Sequence, residues 1–403
     1  MKAKSVKHDF TYNFAILYFL HYLTSSLIMS QRMTFLIRTS YTLQQRSLMF
    51  AAIPLLSIGL PFLMGYLSDK YQTTKKLMIV AIVLSSITAY LFYSIQVQFF
   101  VFHFAMTILS DSLIRSMEEL SDVWVLESKG PSKNNFGFIR AFGSAGWALG
   151  SFLLSQIVLY AGYQGLALTS LLFNVLILAI VLTIRDDKSE VSRDEPVISI
   201  SLADVKEIFK NNTYLIAILI MFFIRFADAI TGYILIDKML ALGGSEWHIG
   251  MRYAIAAGVE IPVFMLGDKI HKHIGSMKMI VIAIITYTLK FFGYYLANTN
   301  NIIFLVTILQ SIAFPFFMVA TKYLLLELSP AHLKATGQIV GPSIVNGVQG
   351  IIHPLISAFL VGLFTVNSPL LLATIFGIIA LLLTIPLSKK YKVFTNKNIQ
   401  SLH

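Results

Sequence analysis

Four ionisable residues, Asp111, Arg115, Glu118 and Asp122, are spaced i, i+4, i+7 and i+11, which puts them on one face of a helix. Ser112 and Glu119 border the strip, Glu127 follows it, and long apolar runs flank it. A charge at the centre of a bilayer costs at least about 2.5–3.5 kcal/mol, so this many acids and bases cannot face lipid. They must face a bundle interior or a water-filled cavity. Glu118, Glu119 and Asp122 fall within about one helical turn. Carboxylates crowded in a low dielectric favour taking up a proton, which is what a proton-binding site needs. The other reading is that Arg115 neutralises one acid and water solvates the rest.

The elements that must hold this strip are membrane spans. The chain has 403 residues, of which 56% are hydrophobic and 13% charged. Soluble domains carry about 25% charge. Apolar stretches of about 20 residues, each long enough to cross a bilayer, recur along the chain. They are read at 11–32, 44–67, 76–95, 98–125, 136–160, 165–184, 213–236, 247–267, 277–297, 301–326, 336–364 and 368–387.

The net charge of +11 is explained by the collection of Lys and Arg in cytoplasmic loops, and nucleic acid is not an expected partner. Lys2, Lys4 and Lys7 precede span one. Lys70, Lys75 and Lys76 follow span two, and Lys129 and Lys133 follow span four. Lys389, Lys390, Lys392 and Lys397 end the chain, while the alternate loops are poor in both residues. Both termini and the central loop are therefore expected in the cytoplasm, with the chain in the cell membrane. Arg32, Arg38 and Arg46 break this pattern, and periodicity alone gives no account of them.

No cofactor or metal site is expected. The chain has no cysteine, which removes thiolate ligands. The one doubled histidine, His271 and His273, lies in a basic loop. No HExxH, catalytic triad or phosphate-binding loop is present.

The segment 185–211 is the long polar stretch, and it divides two halves that echo one another. GYLSDKYQTTKKLMIV at 65–80 corresponds to LGDKIHKHIGSMKMIV at 266–281. LESKGPSKNNFGFIR at 126–140 corresponds to LELSPAHLKATGQIV at 326–340, which sets Glu127 on Glu327 and Gly150 on Gly350. Repeated halves across a cytoplasmic loop are the sequence form of alternating-access transporters.

GYLSDKYQTTKK resembles the loop-two-three signature of the major facilitator superfamily: a glycine, an aspartate four residues on, then basic residues. The resemblance implies a conformational motif of Gly65, Asp69, Lys70, Lys75 and Lys76, with Asp69 at a helix end and the basic residues as its partners. FAAIPLLSIGLPFLMGYLSDK (50–70) and FGFIRAFGSAGWALGS (136–151) look like the oligosaccharide:proton symporters of the lactose permease group. The likeness runs more thinly through spans eight to eleven.

This resemblance implies that Arg140 binds sugar hydroxyls, Trp147 stacks on the sugar, and Asp122 is the acidic partner of Arg140. Glu260 falls on a glutamate that contacts sugar and partner charges. Lys290 falls on an arginine near the proton site. The group's proton-carrying glutamate is replaced by Ala313 and its coupling histidine by Gln310. Coupling must then use another carboxylate. Glu118 and Glu119 are the first candidates, and Asp228 and Lys290 are candidates in the other half. Arg225 and Asp228, three residues apart, are read as a local pair, and Glu260 and Lys290 as a pair across spans eight and nine.

The expected fold is an all-α integral membrane protein, with about 12 spans in two pseudo-symmetric six-helix bundles of the major facilitator type. Residues 1–184 form the first bundle and 185–211 the cytoplasmic loop. Residues 212–403 form the second bundle and a short tail. The expected function is secondary active transport of a polar organic solute, a sugar or glycoside, by proton symport in a monomer. The alternatives are a nucleoside or aromatic-acid symporter, a membrane-embedded lipid or isoprenoid enzyme, or a non-transporting sensor.

Cysteines introduced singly at Lys7, Ser192 and Lys397 should resist an impermeant thiol reagent in whole cells. Labelling of any of them from outside reverses the predicted topology.

Overall fold

The computed structural model describes residues 9–128, 131–186, 202–330 and 333–400, and the regular elements among them are helical. The first half holds α1 (Thr11–Ser30), α2 (Arg32–Arg38), α3 (Leu43–Ser57), α4 (Gly59–Tyr71), α5 (Lys75–Ser94), α6 (Phe100–Glu127) and α7 (Phe136–Thr183). The second holds α8 (Leu202–Phe209), α9 (Asn212–Ala241), α10 (Glu246–Leu296), α11 (Asn300–Thr307), α12 (Gln310–Leu328), α13 (Lys334–Leu363) and α14 (Ser368–Gln400).

Nine stretches among the described residues are long and apolar enough to cross a membrane. One of them, Phe138–Thr183, has 46 residues. At 1.5 Å per residue a straight helix of that length would run about 69 Å, twice a bilayer core. Gly162, at φ 63°, divides it into two spans. Gly275, at φ 74°, divides α10 in the same way. Both are left-handed conformations that glycine adopts without a Cβ penalty. With α1, rich in Tyr, Ser and Thr, and α6, which carries the ionisable strip, the spans come to about twelve. The second span is broken at Ile58 into α3 and α4. Pro61 has no N–H for the carbonyl of Ser57, which favours an interruption there.

The helices form two compact units by their contacts: Met1–Glu195 with Gly244–Gly258, and Pro196–Gly243 with Val259–His403. In the first unit α1 lies along α7. A Cβ on Gly146 would collide with the carbonyl of Phe19, and one on Gly150 would stand 2.5 Å from the carbonyl of Leu23. These glycines, with Gly143, therefore let two backbones touch, as small residues do where lipid supplies no hydrophobic drive. Buried hydroxyls bond back to their own helices, Ser86 to Ile82, Ser116 to Ser112 and Ser121 to Met117. In the second unit α9 packs on α12, α13 and α14. The Lys238 ammonium donates to the carbonyls of Tyr294 and Tyr295 at 2.7 and 2.9 Å, capping the end of α10. Large apolar side chains such as Leu159, Leu168, Leu172, Val175 and Leu382 are exposed. On a water-soluble surface they would be a liability, whereas lipid is their natural solvent.

Gly146→Leu should drive α1 off α7 and cost at least about 1–3 kcal/mol. Gly232→Ala, where an added Cβ meets nothing within 4 Å, should be neutral or stabilising by up to about 1 kcal/mol. Thermal unfolding of the purified protein separates the two outcomes.

Candidate functional site

In the first unit the α1–α7 contact brings aromatic and charged groups together. Tyr18 and Tyr22, one turn apart on α1, have near-parallel rings, with centroids 6.1 Å apart and an interplanar angle of 24°. The Tyr18 hydroxyl donates to Asp122 at 2.5 Å. The Arg140 guanidinium lies over the Tyr22 ring, 4.4 Å from its centroid. Gly143 makes this possible, since a Cβ there would stand 2.8 Å from the Tyr22 ring and 3.0 Å from Arg140 Nη1. His21 meets the edge of Tyr22 at 5.5 Å, and its buried Nε2 has no hydrogen-bond partner among the described residues. Glu118 is half-buried, within electrostatic reach of Arg115, Arg140 and Asp122. Glu119 and Arg140 are exposed on the unit, and Trp147 is partly buried against the apolar core.

Asp122 thus takes its hydrogen bond from Tyr18 rather than from Arg140. The Arg140 guanidinium is drawn instead onto the face of Tyr22. Sequence reasoning missed Tyr18, Tyr22 and the place of His21. Their signal was a polar and aromatic face, YFLHY, on a helix without charges.

The ionisable strip of α6 divides in function along its length. Asp111 is buried and ion-paired with Arg32, which is only 1% exposed. Arg32 also donates to Ser110 at 3.2 Å, and its guanidinium lies 5.7 Å from the Phe92 ring centroid. Arg115, with a side chain 51% exposed, stands 3.5 Å from the other oxygen of Asp111. The arginines that broke the loop pattern are accounted for here. Arg32 and Arg46 are buried, and Arg38 pairs with Glu246 at 2.8 Å. Arg32 answers the buried Asp111, Arg38 pairs with Glu246, and Arg46 lies buried against Met33, so none of the three is a free loop cation.

The Gly65–Lys76 motif is used locally. Lys75 donates to the carbonyls of Leu182 and Ile184 at 2.7 and 2.9 Å, closing the end of α7. Asp186 accepts from the backbone N–H groups of Thr74 and Lys75 and from the Thr73 hydroxyl, capping α5. Lys70 lies near the rings of Tyr66 and Tyr71, and Lys76 is exposed at the start of α5. The side chain of Asp69 lies outside the described residues, as do Lys129 and most of the central loop.

In the second unit four side chains from four spans form one chain. Lys290 donates to Asp228 at 2.8 Å and to Oε1 of Gln310 at 2.5 Å. The Gln310 amide in turn donates to Glu260 at 2.8 Å. Lys290 also lies over the ring of Tyr287, 4.5 Å from its centroid. The direct Glu260–Lys290 pairing and the local Arg225–Asp228 pairing suggested by spacing are both replaced. Lys290 reaches Asp228 across helices, and Gln310 bridges to Glu260. Ala313 is fully buried in the apolar core.

Two helical units with paired charges inside their spans define a multi-pass membrane transporter. The model of the MFS_1 like family matches residues 11–384, and the chain belongs to that family of major facilitator proteins. An uncharacterized transporter, YwbF of Bacillus subtilis (strain 168), is 24% identical over 373 residues, 89% of this chain and 87% of the relative. A maltose permease of Geobacillus stearothermophilus is 19% identical over 339 residues, 84% of each. The solved nucleoside transporter NupG shares the fold at TM-score 0.76 and 16% identity, covering 96% of this chain and all of that one. A solved D-xylose-proton symporter does so at TM-score 0.70 and 15% identity, covering 93% and 97%.

Asp228→Leu should leave a buried ammonium short of its counter-charge and cost about 3–5 kcal/mol. Asp228→Leu combined with Lys290→Leu should recover most of that loss in thermal unfolding. A double variant no more stable than the single one would show that the pair is not a closed electrostatic unit.

Proposed function

We propose that the chain carries a sugar or glycoside across the cell membrane by proton symport, with both termini cytoplasmic and the monomer as the working unit. The observation that carries this reading is the grouping of Tyr18, Tyr22, Asp122 and Arg140. A carboxylate and a guanidinium fork suit vicinal hydroxyls, and aromatic faces suit the C–H side of a pyranose. His21 Nε2 offers a further polar atom beside them. Trp147 keeps its proposed stacking role and Glu260 its proposed solute contact. The maltose permease and the D-xylose-proton symporter among the similar proteins support a sugar. NupG supports the nucleoside alternative. Family membership favours transport over a lipid enzyme or a sensor.

The proposed coupling group is Glu118 or Glu119, because these acids share the solute-binding face with Asp122. A second reading puts coupling in the Asp228–Lys290–Gln310–Glu260 chain. It is favoured by the linkage of a carboxylate–ammonium pair to a second carboxylate through a neutral amide. In this second reading Asp228 is engaged by Lys290, and Glu260 is the acid that accepts the proton.

Uptake into proteoliposomes against a panel of labelled sugars and nucleosides, with and without an inward proton gradient, tests the whole. Arg140→Lys should weaken binding tenfold or more, at least about 1.4 kcal/mol, because an ammonium does not reproduce a planar fork. Trp147→Phe should lose less than Trp147→Ala. Glu118→Gln or Glu119→Gln should abolish gradient-driven accumulation and preserve exchange. Loss of accumulation in Glu260→Gln alone would select the second reading. A normal Arg140→Lys protein would make that arginine structural.

A further inference from the structure

Five basic side chains are buried in the described residues: Arg32, Arg46, Lys238, Arg252 and Lys290. Four have an answering group. Arg32 has Asp111, Lys290 has Asp228 and Gln310, Lys238 has two carbonyls, and Arg46 Nη1 lies 2.9 Å from the sulfur of Met33. Arg252 is the exception. It is 7% exposed, inside the spanning stretch Glu246–Gly267, and its Nε and Nη2 are buried without a partner.

The arrangement of these atoms is specific. The face of the guanidinium is used, stacked on Tyr253 at 4.0 Å from the ring centroid. Nε and Nη2 lie together on one edge of the planar group and carry parallel N–H bonds. That edge is the fork that takes a carboxylate or phosphate through two charge-assisted hydrogen bonds. A buried charged donor left unmade is costly, so two on one edge call for a ligand. A pair of neutral hydroxyls would satisfy the hydrogen bonds but leave the buried charge uncompensated.

Gly250 faces α7, where an added Cβ would stand 2.8 Å from the carbonyl of Ser151 and 2.9 Å from Ser155 Oγ. Arg252, two residues on, is about 200° round the helix from that contact. Of the residues that follow, Tyr253 and Ile255 are large, and Ala254, Ala256, Ala257 and Gly258 are small. A Cβ on Gly258 meets nothing within 4 Å.

We infer that the edge of Arg252 binds an oxyanion, a carboxylate or phosphate, carried by the transported solute, so that the solute is an acidic one. This rests on the transport reading above and narrows its substrate class from sugars to sugar acids or comparable anions.

The test is binding to the full-length protein in phosphatidylcholine nanodiscs, titrated with four probes: methyl glucoside, methyl glucuronide, benzoate and inorganic phosphate. The glucuronide should bind at least tenfold tighter than the glucoside. Arg252→Gln should erase that ratio, and Arg252→Lys should lose most of it, because charge without the fork is insufficient. Where Arg252→Gln fails to fold, Arg252→Lys, which keeps the charge, carries the comparison. Equal wild-type affinities for the two glycosides overturn the inference and leave the sugar reading standing. Benzoate or phosphate binding that depends on Arg252, with neither glycoside bound, sustains the anion site and overturns the sugar reading. No binding by any probe overturns both. Stabilisation that depends on Arg252 and appears only in phosphatidylglycerol discs assigns the oxyanion to lipid and overturns its assignment to the solute.

Discussion

A charge inside a bilayer core must be answered by another group, and this constraint organises the interior of the protein. Asp111 could not remain in α6 without Arg32, and Arg32 could not sit at the start of α2 without Asp111. Lys290 and Asp228 stand in the same relation in the second unit. Such pairs add little net stability, because desolvation offsets most of their attraction. What they supply is register. A helix that slides by one turn loses its partner and strands a charge, so each pair fixes how two spans lie along one another.

The α1–α7 contact supplies the complementary constraint, which is distance. Gly146 and Gly150 bring two backbones together. This brings Tyr18 within reach of Asp122 and Tyr22 under Arg140. Small residues and charged residues thus do different work on the same helices. The glycines set how close the scaffold comes, and the pairs set its register. The groups of the proposed solute site inherit their positions from both.

The spans and the charge strip of α6 were legible in the sequence, because hydropathy and helical periodicity act within one segment. The breaks in the two longest helices coincide with Gly162 and Gly275, within the short connections that the span limits had left. Partners across helices were not legible. Arg32 finds Asp111 at a separation of 79 residues, and Tyr18 finds Asp122 at 104. Periodicity says which face a residue lies on and nothing about which neighbouring helix that face meets. For the same reason a spacing of three residues suggested Arg225 for Asp228, while packing supplied Lys290. α1 was read as an ordinary apolar span, although its aromatic and hydroxyl groups supply half of the proposed solute site.

The replacement of a histidine by Gln310 and a glutamate by Ala313, relative to the symporters this chain resembles, has a chemical consequence. An amide can accept from an ammonium at its oxygen while donating to a carboxylate from its nitrogen, and Gln310 does both. It cannot itself bind or release a proton near neutral pH. A position that in a histidine-bearing relative can titrate becomes, in this chain, a connector of fixed polarity. Ala313, buried among apolar side chains, removes the second titratable position outright. In the proposed symport cycle the proton would then dwell on a carboxylate. In the second unit the geometry separates the two that qualify: Asp228 bonds the ammonium directly, whereas Glu260 is hydrogen-bonded to it by way of Gln310. A change at Glu260 therefore reaches Lys290 through a single amide, and the strength of that link is set by how firmly one glutamine side chain keeps its orientation.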